Sequence, residues 1–83
     1  MNIEFDPAKD EVNVAKHGLS HARAVDLDVL AYLPDDRFAE PRFRLYGLID
    51  GVACCVAGTD RDGVVRVISL RRAHAKEMKR YVP

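Results

Sequence analysis

No stretch of this chain is long and apolar enough to cross a bilayer, so none of it reads as a membrane-spanning helix. The opening Met1-Asn2-Ile3-Glu4-Phe5-Asp6 has neither the basic n-region nor the apolar h-region of a secretory leader, and a cytoplasmic protein is expected. Cysteine is scarce: there are two, the adjacent Cys54 and Cys55. Neighbours on a strand point to opposite faces, so these two cannot bridge each other and read as reduced packing residues. No Cys/His spacing suggests zinc. There is no Gly-rich phosphate loop and no nucleophile elbow. No carboxylates are spaced for a two-metal site, since Asp60 and Asp62 flank a turn and read as turn formers. Neither a metal nor a cofactor is expected. Repeats, low-complexity stretches and linkers are also missing, so residues 1–83 read as one domain. A chain this short has a modest core and marginal stability, which a tightly bound partner would supplement.

Net charge is lacking too: 13 basic residues balance 13 acidic ones, which argues against a generic nucleic-acid binder. The distribution is uneven. Residues 1–41 sum to −5 and residues 42–83 to +5. Such asymmetry points to a polyanionic partner; the plainer alternative is a solvated basic helix.

Local signals divide the chain clearly. Asp6-Pro7 is a helix start, with Asp as cap and Pro at the first helical position. The helix runs to about His17 and stops at Gly18. Ser20 caps a second short helix carrying Ala22, Ala24, Val25 and Leu27, which fades near Asp28. Val29–Leu33 reads as a short edge strand closed by Pro34-Asp35-Asp36. Along 42–49, Phe43, Leu45, Gly47 and Ile49 alternate with Arg42, Arg44, Tyr46 and Leu48, the period of a strand. Asp50-Gly51 is a hairpin signal, 52–58 a buried strand, Asp60-Arg61-Asp62-Gly63 a turn, and 64–70 the last strand. A helix from about Ala73 to Tyr81 ends before Pro83. The expected fold is α+β: two N-terminal helices, a small antiparallel sheet of three to four strands, and a C-terminal helix. All helices are expected on one face.

The chemistry concentrates where the last strand meets the last helix. From Val64 onward there are six Lys/Arg and one acidic residue, Glu77. Arg66 leaves the strand from its middle and Arg71 from its end. Arginine forks fit phosphate oxygens, and several converging would stabilise a phosphoryl transition state. The alternative is that Arg71 or Arg72 pairs with Glu77 or with the acidic half. His17 offers an imidazole for general acid–base work, or merely satisfies carbonyls at a helix end. Glu77 either orients an arginine, acts as a base, or pairs with Arg80 along the helix. Tyr81 either stacks a base, donates a proton, or covers the core.

Glu4-Phe5-Asp6-Pro7-Ala8-Lys9, Asn13 and Lys16-His17-Gly18 resemble the opening of the BrnT family of toxins. Glu40-Pro41-Arg42 before Gly47 resembles its middle. Thr59-Asp60-Arg61 and Arg66-Val67-Ile68-Ser69-Leu70-Arg71-Arg72-Ala73, with Glu77 and Tyr81, resemble its ending. The resemblance implies a RelE-like fold and a ribonuclease toxin of a type II toxin–antitoxin pair. It implies RNA cleavage without metal, by attack of a 2′-hydroxyl on the adjacent phosphate, inhibiting translation and growth. It implies a DNA-binding antitoxin of the BrnA kind as partner, with operator DNA reached only through that antitoxin. Under this reading His17, Arg66, Arg71, Glu77 and Tyr81 are the catalytic candidates. Lys16, Arg42, Arg61, Arg72, Lys76, Lys79 and Arg80 are the RNA-binding candidates. Several positions depart from the pattern: His21 stands for a phenylalanine, Asp28, Leu30 and Ala31 for Phe, Asp and Pro, and His74 for a Thr helix cap. These departures leave open a degenerate module that binds its antitoxin or RNA without cutting.

Overall fold

The computed structural model describes all residues, 1–83. Its elements are β1 (Ile3–Glu4), α1 (Pro7–His17), a 3-10 segment (His21–Asp26), β2 (Asp28–Asp35), β3 (Arg42–Ile49), β4 (Val52–Arg61), β5 (Val64–Arg72) and α2 (Ala75–Tyr81). They form one five-stranded sheet in the order β1-β5-β4-β3-β2. β1 runs parallel to β5, and every other pairing is antiparallel. No helix is long and apolar enough to cross a membrane.

The start of α1 follows its sequence signals. The Asp6 carboxylate accepts from the Ala8 N–H at 2.9 Å, and Pro7 occupies the first helical position. Gly18, at φ 72°, ends the helix in the left-handed region and donates to the Val14 carbonyl. Both two-residue hairpin turns, Asp50-Gly51 and Asp62-Gly63, have positive φ throughout, which matches the twist of the strands they join.

The expected two-helix, three-to-four-strand arrangement is wrong in three respects. The second N-terminal helix is a single 3-10 segment of six residues. Ser20 caps it, but a segment that short stays in the tighter geometry. The sheet is mixed, because Ile3–Glu4 joins β5 in parallel register with Val65 and Arg66. Two residues are too few to show a strand period. Finally, β2 continues through Pro34 to Asp35, which an edge strand permits because the missing N–H need not face a neighbour.

The core lies on one face of the sheet. Phe43, Leu45, Ile49, Cys54, Val56, Val67 and Leu70 point to it, and Ala24 and Leu27 of the 3-10 segment cover it. At Gly47 the β2 backbone comes so close that a Cβ would overlap the Asp28 carbonyl.

α1 covers an edge instead of a face. The Asn13 amide donates to the Leu70 carbonyl at 2.9 Å and accepts from the Leu70 N–H at 3.3 Å. Both groups of Leu70 therefore point away from β4, and one side chain completes the sheet where β1 has ended. Asp10 fastens the next segment to α1, accepting from the Ser20 hydroxyl at 2.9 Å and the His21 N–H at 2.6 Å. α2 lies on the face opposite the core, so the helices do not share one side as expected.

Candidate active site

Strand parity builds the site. With Phe43, Leu45 and Ile49 turned to the core, Arg42, Arg44 and Tyr46 must point to the other face. The register carries that face across the sheet in rows: Tyr46 beside Cys55 beside Arg71, and Arg44 beside Ala57 beside Ser69. α2 folds back over the first row. Glu77 grips Arg71 through two hydrogen bonds of 3.0 Å each, the bidentate geometry that suits a guanidinium and a carboxylate. Tyr81 stacks on Tyr46 with ring centroids 5.2 Å apart and planes 25° from parallel. Arg44 donates to the Tyr46 hydroxyl at 3.0 Å, and its guanidinium lies 5.3 Å from the Tyr81 ring centre.

The electrostatics follow from these contacts. Arg71 holds the Glu77 carboxyl below the usual carboxylate range, so it is ionised at neutral pH. Burial pushes the Tyr46 hydroxyl up, and the Glu77 carboxylate adds to the effect, so this phenol stays protonated. Burial also raises the Cys55 thiol beneath them, which makes it a packing group and not a nucleophile. Arg71 and Glu77 cancel, leaving Arg44 as an uncompensated cation on the rim. The arrangement can offer a phosphate the Arg44 guanidinium and the Arg71 donors that Glu77 leaves over, with a phenol on the same face.

Beside this row lies a cleft of about 460 Å³ between α1 and the edge of β5, lined by Lys9, Val12, Lys16, His17, Ile68 and Ser69 among others. Ser69 shares the face of Arg71, two residues along the strand. A smaller cleft of about 140 Å³ continues past Lys9 and Ile68 to Arg42, Arg61 and Arg66. There the cations are largely engaged: Arg61 by Glu40 at 3.0 and 3.3 Å, and Arg66 by Glu4 at 3.7 Å.

The expected site residues therefore separate. Arg71, Glu77 and Tyr81 meet; His17 and Lys16 border the adjoining cleft; Arg42, Arg61 and Arg66 lie further along the sheet. Arg66 and Arg71 leave β5 at most about 17 Å apart at roughly 3.3 Å per residue. Arg72 is paired in register with Cys54, on the core face, and lines a separate pocket with Arg23 and Asp50. Lys76, Lys79 and Arg80 are exposed on α2, with Arg80 5.5 Å from the Tyr81 ring centre. Arg44 and Tyr46 were missed. Their signal was present in the alternation of β3, but nothing local says that a helix will cover their face.

The charge asymmetry is partly consumed by folding. Arg61–Glu40 and Arg66–Glu4 each pair an acid of the first half with an arginine of the second, whereas Arg23–Asp50 runs the other way and consumes none of it. Arg42, Arg44 and Arg72 form no ion pair with a carboxylate. No three His, Cys, Asp or Glu side chains converge as metal ligands would.

Residues 5–77 match the family model described as the ribonuclease toxin BrnT of type II toxin–antitoxin systems. Among solved structures, the chain is similar to the ribonuclease toxin BrnT of Brucella abortus. The TM-score is 0.70 and the identity 28%, over 89% of this chain and 97% of that one. No curated protein matches the sequence significantly. Glu77 is the last residue inside the family match, and Tyr81 lies beyond it.

Proposed function

Because the chain belongs to the BrnT family of ribonuclease toxins of type II toxin–antitoxin systems, we propose that it cuts RNA endonucleolytically without a metal. Cleavage then inhibits translation until an antitoxin of the BrnA kind, itself the DNA-binding partner, covers the site. The observation that carries this reading is the convergence of Arg71, Glu77, Arg44, Tyr46 and Tyr81 on the sheet face that α2 crosses.

In the proposed reaction the RNA supplies its own nucleophile. The 2′-oxygen loses its proton and bonds to the adjacent phosphorus; the bond from phosphorus to the 5′-oxygen breaks, and that oxygen takes a proton. The products are a 2′,3′-cyclic phosphate and a 5′-hydroxyl. Arg71 and Arg44 neutralise the charge that builds on the phosphorane, where fixed cations act most strongly. Glu77 holds the Arg71 fork in one orientation. His17, across the adjoining cleft, moves the proton at the 2′-oxygen, and Tyr81 provides the one for the leaving oxygen. Arg42, Lys9 and Lys16 guide the strand along the clefts beside β5, where Arg61 and Arg66 are held by Glu40 and Glu4.

The test is incubation of purified protein with RNA in excess EDTA, with end-group analysis of the fragments. Cyclic-phosphate and 5′-hydroxyl ends, lost in Arg71→Ala, support the reading. Intact RNA, or cleavage that EDTA abolishes, overturns it.

A further inference from the structure

We propose that the loop joining β2 to β3 forms a nucleotide subsite, in which a base stacks on Phe38 and the adjoining phosphate lies on Arg42 and Arg44. This rests on the ribonuclease reading above and names where the substrate is held beyond the cleavage point.

A cavity of about 430 Å³ opens here between Phe38, Arg37, Arg42, Arg44 and their neighbours. Phe38 is 43% exposed, although its ring is the kind of surface that folding normally buries. Its surroundings are cationic. The Arg42 guanidinium lies 4.1 Å from the ring centre, a close cation–π contact. Arg37 is clamped by Asp35 through bonds of 2.9 and 2.7 Å, so it shapes the loop and offers no free charge. Asp35 is neutralised in the same contact, which pulls its carboxyl down to about 2. Of the other two carboxylates before β3, Glu40 is taken by Arg61, and Asp36 is exposed outside the cavity lining. Arg42 and Arg44, which both line the cavity, are thus left without carboxylate partners.

Arg44 connects this cavity to the candidate active site. It lines the cavity and also lies against Tyr46 and Tyr81. A strand with one phosphate at Arg71 and Arg44 therefore has its next aromatic surface at Phe38, on the same side of the sheet. An exposed aromatic flanked by arginines without carboxylate partners is the chemistry that holds single-stranded nucleic acid: the ring offers a face to any base, and the guanidiniums take the backbone. An acidic protein segment would use the cations but has no need of an open ring.

The experiment uses the full chain and a short, labelled 2′-O-methyl RNA, which lacks the attacking hydroxyl and so reports binding alone. Phe38→Ala is expected to weaken binding about tenfold, the usual scale for one stacked base. Phe38→Trp is expected to restore it to within about twofold. On cleavable RNA, Phe38→Ala raises KM by a similar factor and moves kcat far less. Melting curves check that both variants fold, which the exposure of Phe38 favours. Unchanged affinity in Phe38→Ala, a loss that Phe38→Trp does not repair, or a loss confined to an acidic protein partner overturns the subsite. Wild-type protein that binds the 2′-O-methyl RNA through Phe38 but cuts no RNA overturns the ribonuclease reading and leaves the subsite standing.

Discussion

Replacing Asn13 with alanine is expected to unfasten α1 from the sheet. Asn13 is only 6% exposed, and its amide makes three hydrogen bonds. It donates to the Leu19 carbonyl at 2.7 Å and the Leu70 carbonyl at 2.9 Å, and accepts from the Leu70 N–H at 3.3 Å. Alanine keeps the helix but leaves those backbone groups without partners, and Leu70 is fully buried. An unmet buried hydrogen-bonding group costs about 1–3 kcal/mol, so at the low end the two buried Leu70 groups cost about 2 kcal/mol, while the part-buried Leu19 carbonyl can turn to water. For a domain of this size each kcal/mol lowers Tm by about 4–8 °C, so a drop of about 8–16 °C is expected. Thermal denaturation followed by circular dichroism measures it, with Val12→Ala, at a 65% exposed position of the same helix, as the control. Since α1 also carries Lys16 and His17, RNA cleavage by the variant should fall even well below its Tm. A variant that melts within about 3 °C of the parent would show that water replaces the amide at no cost, and that Asn13 does not hold this edge.

Three other outcomes follow from the same contacts. Glu77→Gln halves the grip on Arg71; stability should fall by about 1 kcal/mol in urea melts, because the pair is partly screened, while kcat falls at least about tenfold as the fork loses its orientation. His21 is 1% exposed and neither ring nitrogen has a hydrogen-bond partner; burial lowers its pKa below the usual 6.5, only partly offset by Asp10. The unfolded chain therefore binds the proton more readily, so this contribution is intact above about pH 6.5 and declines as the pH drops towards the folded pKa; urea midpoints at about pH 7.5 and 5 should differ less in His21→Phe. Finally, kcat/KM should fall with salt at a log–log slope of about −0.7 per neutralised phosphate, and Arg44→Ala should flatten the slope by about that amount.

How much of this was legible in the sequence depends on the range of the interactions. The ends of α1 and the two hairpins were legible because Asp6, Pro7, Gly18 and the Asp-Gly pairs act within a few residues. β1 was not, since Ile3–Glu4 becomes a strand only through its distant partners Val65 and Arg66. The stretch after Ser20 carried helix-like spacing, but its six residues settle as 3-10 geometry over the core. In the site, Arg71 and Glu77 stand six residues apart at a strand–helix junction, and the option that they pair was visible beforehand. Arg44 and Tyr46 were not, because their role depends on which face α2 crosses. Nor could the sequence tell that Arg72, among the RNA-binding candidates, takes the opposite face from its neighbour Arg71.

The most direct measurement is single-turnover cleavage of an RNA carrying one 2′-deoxy nucleotide at the scissile position, by wild-type protein and by Arg71→Ala, in EDTA. If the RNA attacks itself on the face built by Arg71, Glu77 and Arg44, the single deoxy substitution stops wild-type cleavage at that position while binding persists. Arg71→Ala then cuts the all-ribose strand slowly or not at all. Cleavage that continues past the missing hydroxyl, or an Arg71→Ala variant as fast as wild type, would contradict both the proposed nucleophile and the proposed site.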